Sequence, residues 1–330
     1  MESEMQGASE DDLPAKAAAV SGGNELGYEE EARLVAEARA SWERKAKGEE
    51  SDDEEDPEML SVYHAYTWNC LYFGYFGRFE DTTRIPPARF TDEPPGERRC
   101  SAYPSETLQV FSVRVAAVTG GLQWPLHVDH NRNMAFDRAR DDCQILTREA
   151  PDLRLTGSSR AVLLLDPVTF EVDLKVRGRT EPEDEHLSFL AAPFLSMQPA
   201  DSCLRRRAYT SKLSTLKFTL GIIVSSVEAT ISARVSGGSW PNGLRARVIL
   251  LDSGDGELPP DGDIDGAIAL DRRVASVEVS GELIVSVRAL QGGEIVAHGE
   301  MGFKARKAGR SSDTLDVGFC QVVSVAWSLF

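Results

Sequence analysis

The sequence predicts an all-β protein: two related β-sandwich-like modules from an internal duplication, behind a disordered acidic N-terminal tail with a marginal helix. Three observations predict it. Short β-branched segments bounded by Gly, Pro, Asp and Ser recur from residue 106 onward, no long helical period interrupts them, and the strand-rich part repeats itself.

The tail, residues 1–58, is read first from its charge. Residues 1–60 carry nineteen Asp or Glu against six Lys or Arg, a net of −13 out of the chain's −17. Up to Tyr28 the composition is Gly, Ser, Ala and acid, too polar to offset the entropy of ordering. Helix formers cluster between Glu29 and Lys47, with Leu34, Ala38 and Trp42 on one face, and an almost purely acidic run from Glu49 to Glu58 follows. Residues 1 to 55 are therefore expected to be removable by proteolysis at no cost to the folded body.

Residues 59–103 read as an aromatic strap followed by a Pro-rich linker. Eight aromatics lie between Tyr63 and Phe79, interleaved with Gly74 and Gly77, and Ile85 to Pro95 is the linker. Such a strap packs on its own domain or docks a partner. Tyr63, Trp68, Tyr72 and Tyr75 are the interaction candidates. Arg78 is the one Lys or Arg interleaved, too little positive charge to hold a nucleic acid backbone.

Residues 104–205 form the first β module and 206–330 the second. Strands are expected at Thr107–Val115, Ala161–Leu165, Phe170–Val176, Leu216–Ile223, Val227–Val235, Val274–Val279, Leu283–Val287 and Val322–Trp327. Phe111-Ser-Val-Arg-Val115, Gly120-Gly121 and Trp124-Pro125 are matched by Ile231-Ser-Ala-Arg-Val235, Gly237-Gly238 and Trp240-Pro241. The order continues with Phe170-x-Val172-x-Leu174 against Leu283-x-Val285-x-Val287, at an offset of about 115 residues. Amphipathic strands alone do not dictate a Gly-Gly and a Trp-Pro in register, so duplication is the simplest account.

Composition narrows the function classes. A net charge of −17 repels phosphate backbones, which makes nucleic acid a poor partner, and the run Arg205, Arg206 and Arg207 reads as the cap of a surface loop. No basic-then-apolar leader and no long apolar run supports secretion or membrane insertion, so the cytosol is the default compartment, with the nucleus left open. The five cysteines are widely spaced without a C-x-x-C and read as buried apolar residues.

Three constellations invite a chemical reading. Asp261-Gly-Asp263-Ile-Asp265-Gly266 opens like a calcium loop, but its twelfth position is Arg272 where a bidentate Glu belongs. His127, Asp129 and His130, with Asp137, Asp141 and Asp142 nearby, make a candidate cluster whose bland reading is a polar loop of paired Asp and Arg. Glu37-Ala-Arg39 with Trp42 superficially resembles the catalytic helix of ribosome-inactivating N-glycosidases, yet it stands in the acidic tail without the pocket such catalysis requires. Trp124 and Trp240 could line a sugar-binding surface, and the plainer reading is a repeated turn with a core anchor. No nucleophile elbow, phosphate loop or dinucleotide fingerprint follows any strand, and no catalytic residue, cofactor or metal is assigned.

Longer strings resemble a grass-expanded family, domain of unknown function 6598. They are Gly121-Leu-Gln-Trp-Pro-Leu-His-Val128, Arg140-Asp-Asp-Cys-Gln144, Phe170-Glu-Val-Asp-Leu-Lys-Val176, Leu250-Leu-Asp-Ser-Gly-Asp-Gly256 and Ser324-Val-Ala-Trp-Ser-Leu-Phe330. Some relatives look like fusions with a ribosome-inactivating N-glycosidase domain, and that resemblance implies a stress or defence setting in plants. Relative to the family pattern, this chain is shorter after Val128 and after Arg247. Each omission removes a strand's worth of sequence and is expected to leave sheet edges prone to self-association.

The function expected from these readings is binding or interaction without catalysis, with a protein partner of unknown identity. The alternatives are a hydrolase related to ribosome-inactivating N-glycosidases and a carbohydrate- or calcium-binding β-sandwich. For the turn at Asp261, Asp263 and Asp265, titration calorimetry should show no calcium affinity tighter than about millimolar. Micromolar affinity lost on Asp263→Ala would contradict this.

Overall fold

The computed structural model describes residues 27–47, 57–71, 73–76, 78, 86–93, 102–129, 136, 139–165, 168–195, 199–235, 244–250, 256–257, 267–268, 270, 272–291, 294–316 and 320–330. The acidic stretch before Gly27 and the turn holding Asp261, Asp263 and Asp265 lie outside the described residues, as do Tyr72 and the Trp240-Pro241 pair.

Three helices precede the strands: α1 (Gly27–Ala46), α2 (Pro57–Leu71) and the single turn α3 (Phe73–Phe76). The first eight strands are β1 (Ser105–Val118), β2 (Leu126–Asp129), β3 (Gln144–Leu146), β4 (Val162–Leu163), β5 (Val168–Val176), β6 (Glu185–Phe194), β7 (Cys203–Thr210) and β8 (Ser214–Val235). They are followed by β9 (Leu244–Leu250), β10 (Gly256–Glu257), β11 (Ala267–Ile268), β12 (Val274–Glu278), β13 (Glu282–Gln291), β14 (Glu294–Lys304), β15 (Gly309–Asp316) and β16 (Cys320–Ser328).

Strand pairing reproduces one sandwich twice. In the first module one sheet runs β7-β8-β1-β4 and the facing sheet β3-β2-β5-β6. In the second module the corresponding orders are β15-β16-β8-β12 and β10-β9-β13-β14. Among the described residues every strand pair is antiparallel, as turn-linked strands without helical crossovers require. Each sandwich closes over its own cluster of buried side chains. Leu126, Leu146, Leu187, Leu190 and Leu216 centre the first, and Ile231, Leu283, Val285, Val325 and Trp327 the second.

The strand β8 belongs to both modules. The sequence reads it as two strands, Leu216–Ile223 and Val227–Val235, and the structure joins them into one of 22 residues. Its first half pairs with β1 and β7, its second with β12 and β16. At the handover Thr107 faces Ile223 while Ser105 faces Ser226, so β8 carries one residue more than β1 there. Ser225 sits in the left-handed region at φ 46°, a bulge conformation that bends the strand. The groups freed by the bulge find partners: Val279 N donates to the Ser225 carbonyl (3.0 Å), and Val224 N donates to Ser202 Oγ (3.1 Å).

A boundary between residues 205 and 206 is corrected by this arrangement, because it cuts β7 in half. Arg205, Arg206 and Arg207 are residues of that strand and not the cap of a loop. The Pro-rich linker is corrected as well, since it is tied to the second module. Ala88 N donates to Glu228 Oε1 (2.6 Å) and Phe90 N to Ser328 Oγ (3.0 Å), Gly309 N donates to the Thr91 carbonyl (2.8 Å), and Asp92 pairs with Arg310. The other Glu228 oxygen accepts from Ala161 N (2.9 Å), so one buried carboxylate on β8 gathers two distant segments. Three of the cysteines are not buried: Cys70 is exposed, and Cys143 and Cys203 are half-buried.

Arg272 explains its own departure from a calcium loop. Its guanidinium is buried and donates to the carbonyls of Val110 and Phe111, where β1 shifts register against β8. Burial lowers its pKa to about 10, which leaves it charged at neutral pH. Gly157, at φ 75°, makes room, because a Cβ there would stand 3.0 Å from Arg272 Cγ. Arg272→Met should strand two bulge carbonyls and lower unfolding free energy by roughly 2–4 kcal/mol. Gly157→Ala should be destabilising in the parent and cost less in the Arg272→Ala background, which removes the Cγ, as a urea-melt double-mutant cycle would show. Simple additivity would contradict the packing described.

Candidate functional site

Two surfaces of the first module combine features that a core does not use. The first is α2, which packs across β6. His64 turns inward, half-buried, with Nε2 2.8 Å from Glu171 on β5. Burial lowers the His64 pKa, and a neutral ring in the Nε2–H tautomer still donates to the carboxylate. Trp68 is half-buried on the same helix.

The opposite face of α2 is apolar and open. Val62, Tyr63 and Tyr66 are 62%, 62% and 67% exposed, while Leu71 at the end of the helix and Phe73 on α3 are exposed at 60% and 52% away from that face. Spacings of three and four residues place Val62, Tyr63 and Tyr66 on adjacent turns of one side. The aromatic strap is thus a helix with two uses: one side covers β6 and the other meets solvent. Of the interaction candidates, Tyr63 is on the open side, Trp68 is half-buried, Tyr72 is outside the described residues, and Tyr75 lies in α3.

The second surface is the seam between α1 and β7. The helix expected to be marginal runs for twenty residues and packs on β7 and β8. Its clamp is Arg39, whose Nη1 donates to the Ser211 carbonyl (3.3 Å) and Nη2 to Thr119 Oγ1 (3.2 Å), while Nε pairs with Glu43 at 3.2 Å. Arg39 therefore holds the helix to the β7–β8 turn and to the end of β1. That role corrects the expectation that everything up to residue 55 is removable without consequence. Beside the clamp, α1 and β7 enclose a cleft of about 360 Å³ lined by Arg33 and Glu37 from the helix and Leu204 to Arg207 from the strand.

Among the described residues around His127, no three His, Cys, Asp or Glu side chains come together as a metal site. His127 Nδ1 lies 3.7 Å from Cys143 Sγ, Asp129 is buried, and Arg140 makes a two-pronged pair with Asp184. The Arg140 guanidinium holds the Asp184 carboxyl below its ordinary range. His130 and Asp137 lie outside the described residues. Trp124 follows Gly120 and Gly121, both at positive φ, and packs against the first core as the turn-and-anchor reading expects.

Among the described residues no helix is long and apolar enough to cross a membrane. Arg39→Ala should release α1, speeding tryptic cleavage at Arg33 and lowering the melting temperature slightly; an unchanged digestion rate would contradict the clamp. Since the folded state holds the His64 pKa below 6.5, protonation favours the undocked helix. Docking of α2 is then complete above that pH and weakens as pH falls through it. Amide exchange in α2, corrected for its intrinsic pH dependence, should rise between about pH 7 and pH 5, and a rise that survives in His64→Gln would contradict the assignment.

Residues 107–325 match the family model described as Domain of unknown function (DUF6598). No curated protein matches the sequence. Among solved structures, human GIVD cytosolic phospholipase A2 is similar at 6% identity and a TM-score of 0.24, over 68% of this chain and 33% of that one. The tandem C2 domains of Extended-Synaptotagmin 2 are similar at 9% identity and a TM-score of 0.24, over 75% of this chain and 100% of that one. The chain spans about a third of the phospholipase, and nothing about function follows from either likeness. The matched family span starts in β1 and ends in β16, so it takes in both sandwiches, and the chain belongs to the DUF6598 family.

Proposed function

We propose that this is a non-enzymatic binding protein that docks a partner protein through the open face of α2. The observation that carries the reading is the exposed Val62, Tyr63 and Tyr66 on one side of a helix whose other side is held to β6. Large apolar side chains in one exposed patch mark interaction sites more often than isolated ones do, and Tyr supplies contact area at low entropic cost.

Charge specifies the partner. Eight of the ten residues from Glu49 to Glu58 are acidic, and they lead directly into α2. An apolar groove rimmed by Lys and Arg complements a helix introduced in this way. A second copy fits poorly, because docking the same face twice brings two acidic runs together. The plant stress or defence setting is part of this proposal and rests on the kinship with a grass-expanded family. The hydrolase reading is disfavoured by Arg39, whose guanidinium is committed to the β7–β8 turn and not to a substrate pocket.

A photo-crosslinking residue placed at Tyr66 tests the proposal in plant extract. The expected result is capture of a protein through a peptide from a basic-rimmed surface, weakened by salt and abolished by Tyr63→Ser with Val62→Ser. Capture that persists in that variant, or crosslinking to a second copy alone, would overturn it. Purified protein at micromolar concentration should leave ribosomal RNA intact, and depurination would end the non-enzymatic reading.

A further inference from the structure

The cleft between α1 and β7 concentrates positive charge on a protein whose total is −17. Arg33, Arg205, Arg206 and Arg207 line it together with Glu37. Arg33 spends part of its charge on Glu37 at 3.5 Å, and both side chains remain largely exposed. Arg205 and Arg207 each donate one Nη1 to the carbonyl of the preceding residue, at 3.5 and 3.1 Å. Arg207 also stands 6.0 Å from the centre of the Phe194 ring, which limits its freedom to turn away.

We infer that this cleft binds a small, multiply phosphorylated ligand. Guanidinium forks match phosphate oxygens two at a time, so a compact ligand with two or more phosphates engages more than one of these arginines. A volume of about 360 Å³ is at the small end of ligand sites, large enough for a di- or triphosphate and too small for a folded partner. The field of the whole molecule excludes the longer alternatives. A nucleic acid or an anionic membrane extends beyond the roughly 8–10 Å over which the arginines dominate and meets the acidic remainder of the surface. A compact anion inside the cleft does not.

The seam explains why the site is built from two elements. Arg39 fixes α1 two residues beyond Glu37, which holds Arg33 beside the stretch Leu204 to Arg207 of β7. Leu34 and Leu204 also line the cleft. The site is separate from the open face of α2, so it stands or falls independently of partner docking.

Isothermal titration of the full chain with inorganic tripolyphosphate at about 0.1 M salt tests the inference, with calorimetric melts to establish that each variant is folded. Saturable binding is expected, weakened at least about tenfold in Arg205→Gln/Arg207→Gln and unchanged in Arg148→Gln, whose arginine lies outside the cleft. Arg33→Gln should weaken it by a smaller factor, which separates a two-element site from simple attraction to β7. A parallel arm uses phosphatidylcholine vesicles containing phosphatidylinositol bisphosphate. Binding to vesicles without binding to tripolyphosphate would overturn the inference in favour of a membrane surface. No heat at millimolar tripolyphosphate, or equal loss in Arg148→Gln, would also overturn it.

Discussion

The rest of the structure depends on one constraint, the parity of β8. Successive side chains on a strand point to opposite sides, so a strand that serves two cores must present the right set to each. Leu216, Phe218, Leu220 and Ile222 enter the first core, all at even positions, whereas Val227, Ala229, Ile231 and Ala233 enter the second, all at odd positions. An unbroken strand would aim these two sets to opposite sides of the shared sheet. The additional residue at Ser225 reverses the alternation, and both cores lie on the side that their facing sheets can cover.

The polar groups around the handover follow from that bulge. Breaking the ladder frees backbone donors and acceptors inside a protein, where each unsatisfied one is costly. Ser202 and Val279 close the openings next to Ser225, while Ser226 Oγ donates to the Ser105 carbonyl and shares a 2.7 Å contact with Thr107 Oγ1. Gln109 Oε1 accepts from Ser276 N at 2.8 Å, which links β1 directly to β12. Arg272 and Glu228 act similarly over longer distances, each joining segments that β8 alone does not align. With the junction satisfied internally, the two candidate binding surfaces lie at the outer margins of the first module, on helices added to a finished sandwich.

Much of this is legible in the sequence. The duplication is readable because Gly-Gly and Trp-Pro recur in register, and the strands that carry it, β1, β5, β8, β12, β13 and β16, are rich in Val and Ile. Strands at sheet margins are not readable in the same way. β7 (Cys-Leu-Arg-Arg-Arg-Ala-Tyr-Thr) and β15 (Gly-Arg-Ser-Ser-Asp-Thr-Leu-Asp) are charged because an exposed edge must discourage further pairing, and that charge imitates a loop. The arginine cleft is hidden for the same reason, since Arg33 and Arg205 are 172 residues apart and only the docking of α1 brings them together. The Pro-rich segment misleads because its anchors are backbone N–H groups received by Glu228 and Ser328, a role that composition does not record.

Calorimetric unfolding of a chain lacking Ser225 tests the parity of β8 most directly. Removing that residue restores strict alternation, so one half of β8 must turn its core side chains outward or break its pairing. The account predicts loss of cooperative unfolding in at least one module, with Trp327 or the Leu216 set becoming solvent-exposed. A deletion variant that unfolds in one cooperative transition within about 2 °C of the parent would contradict it.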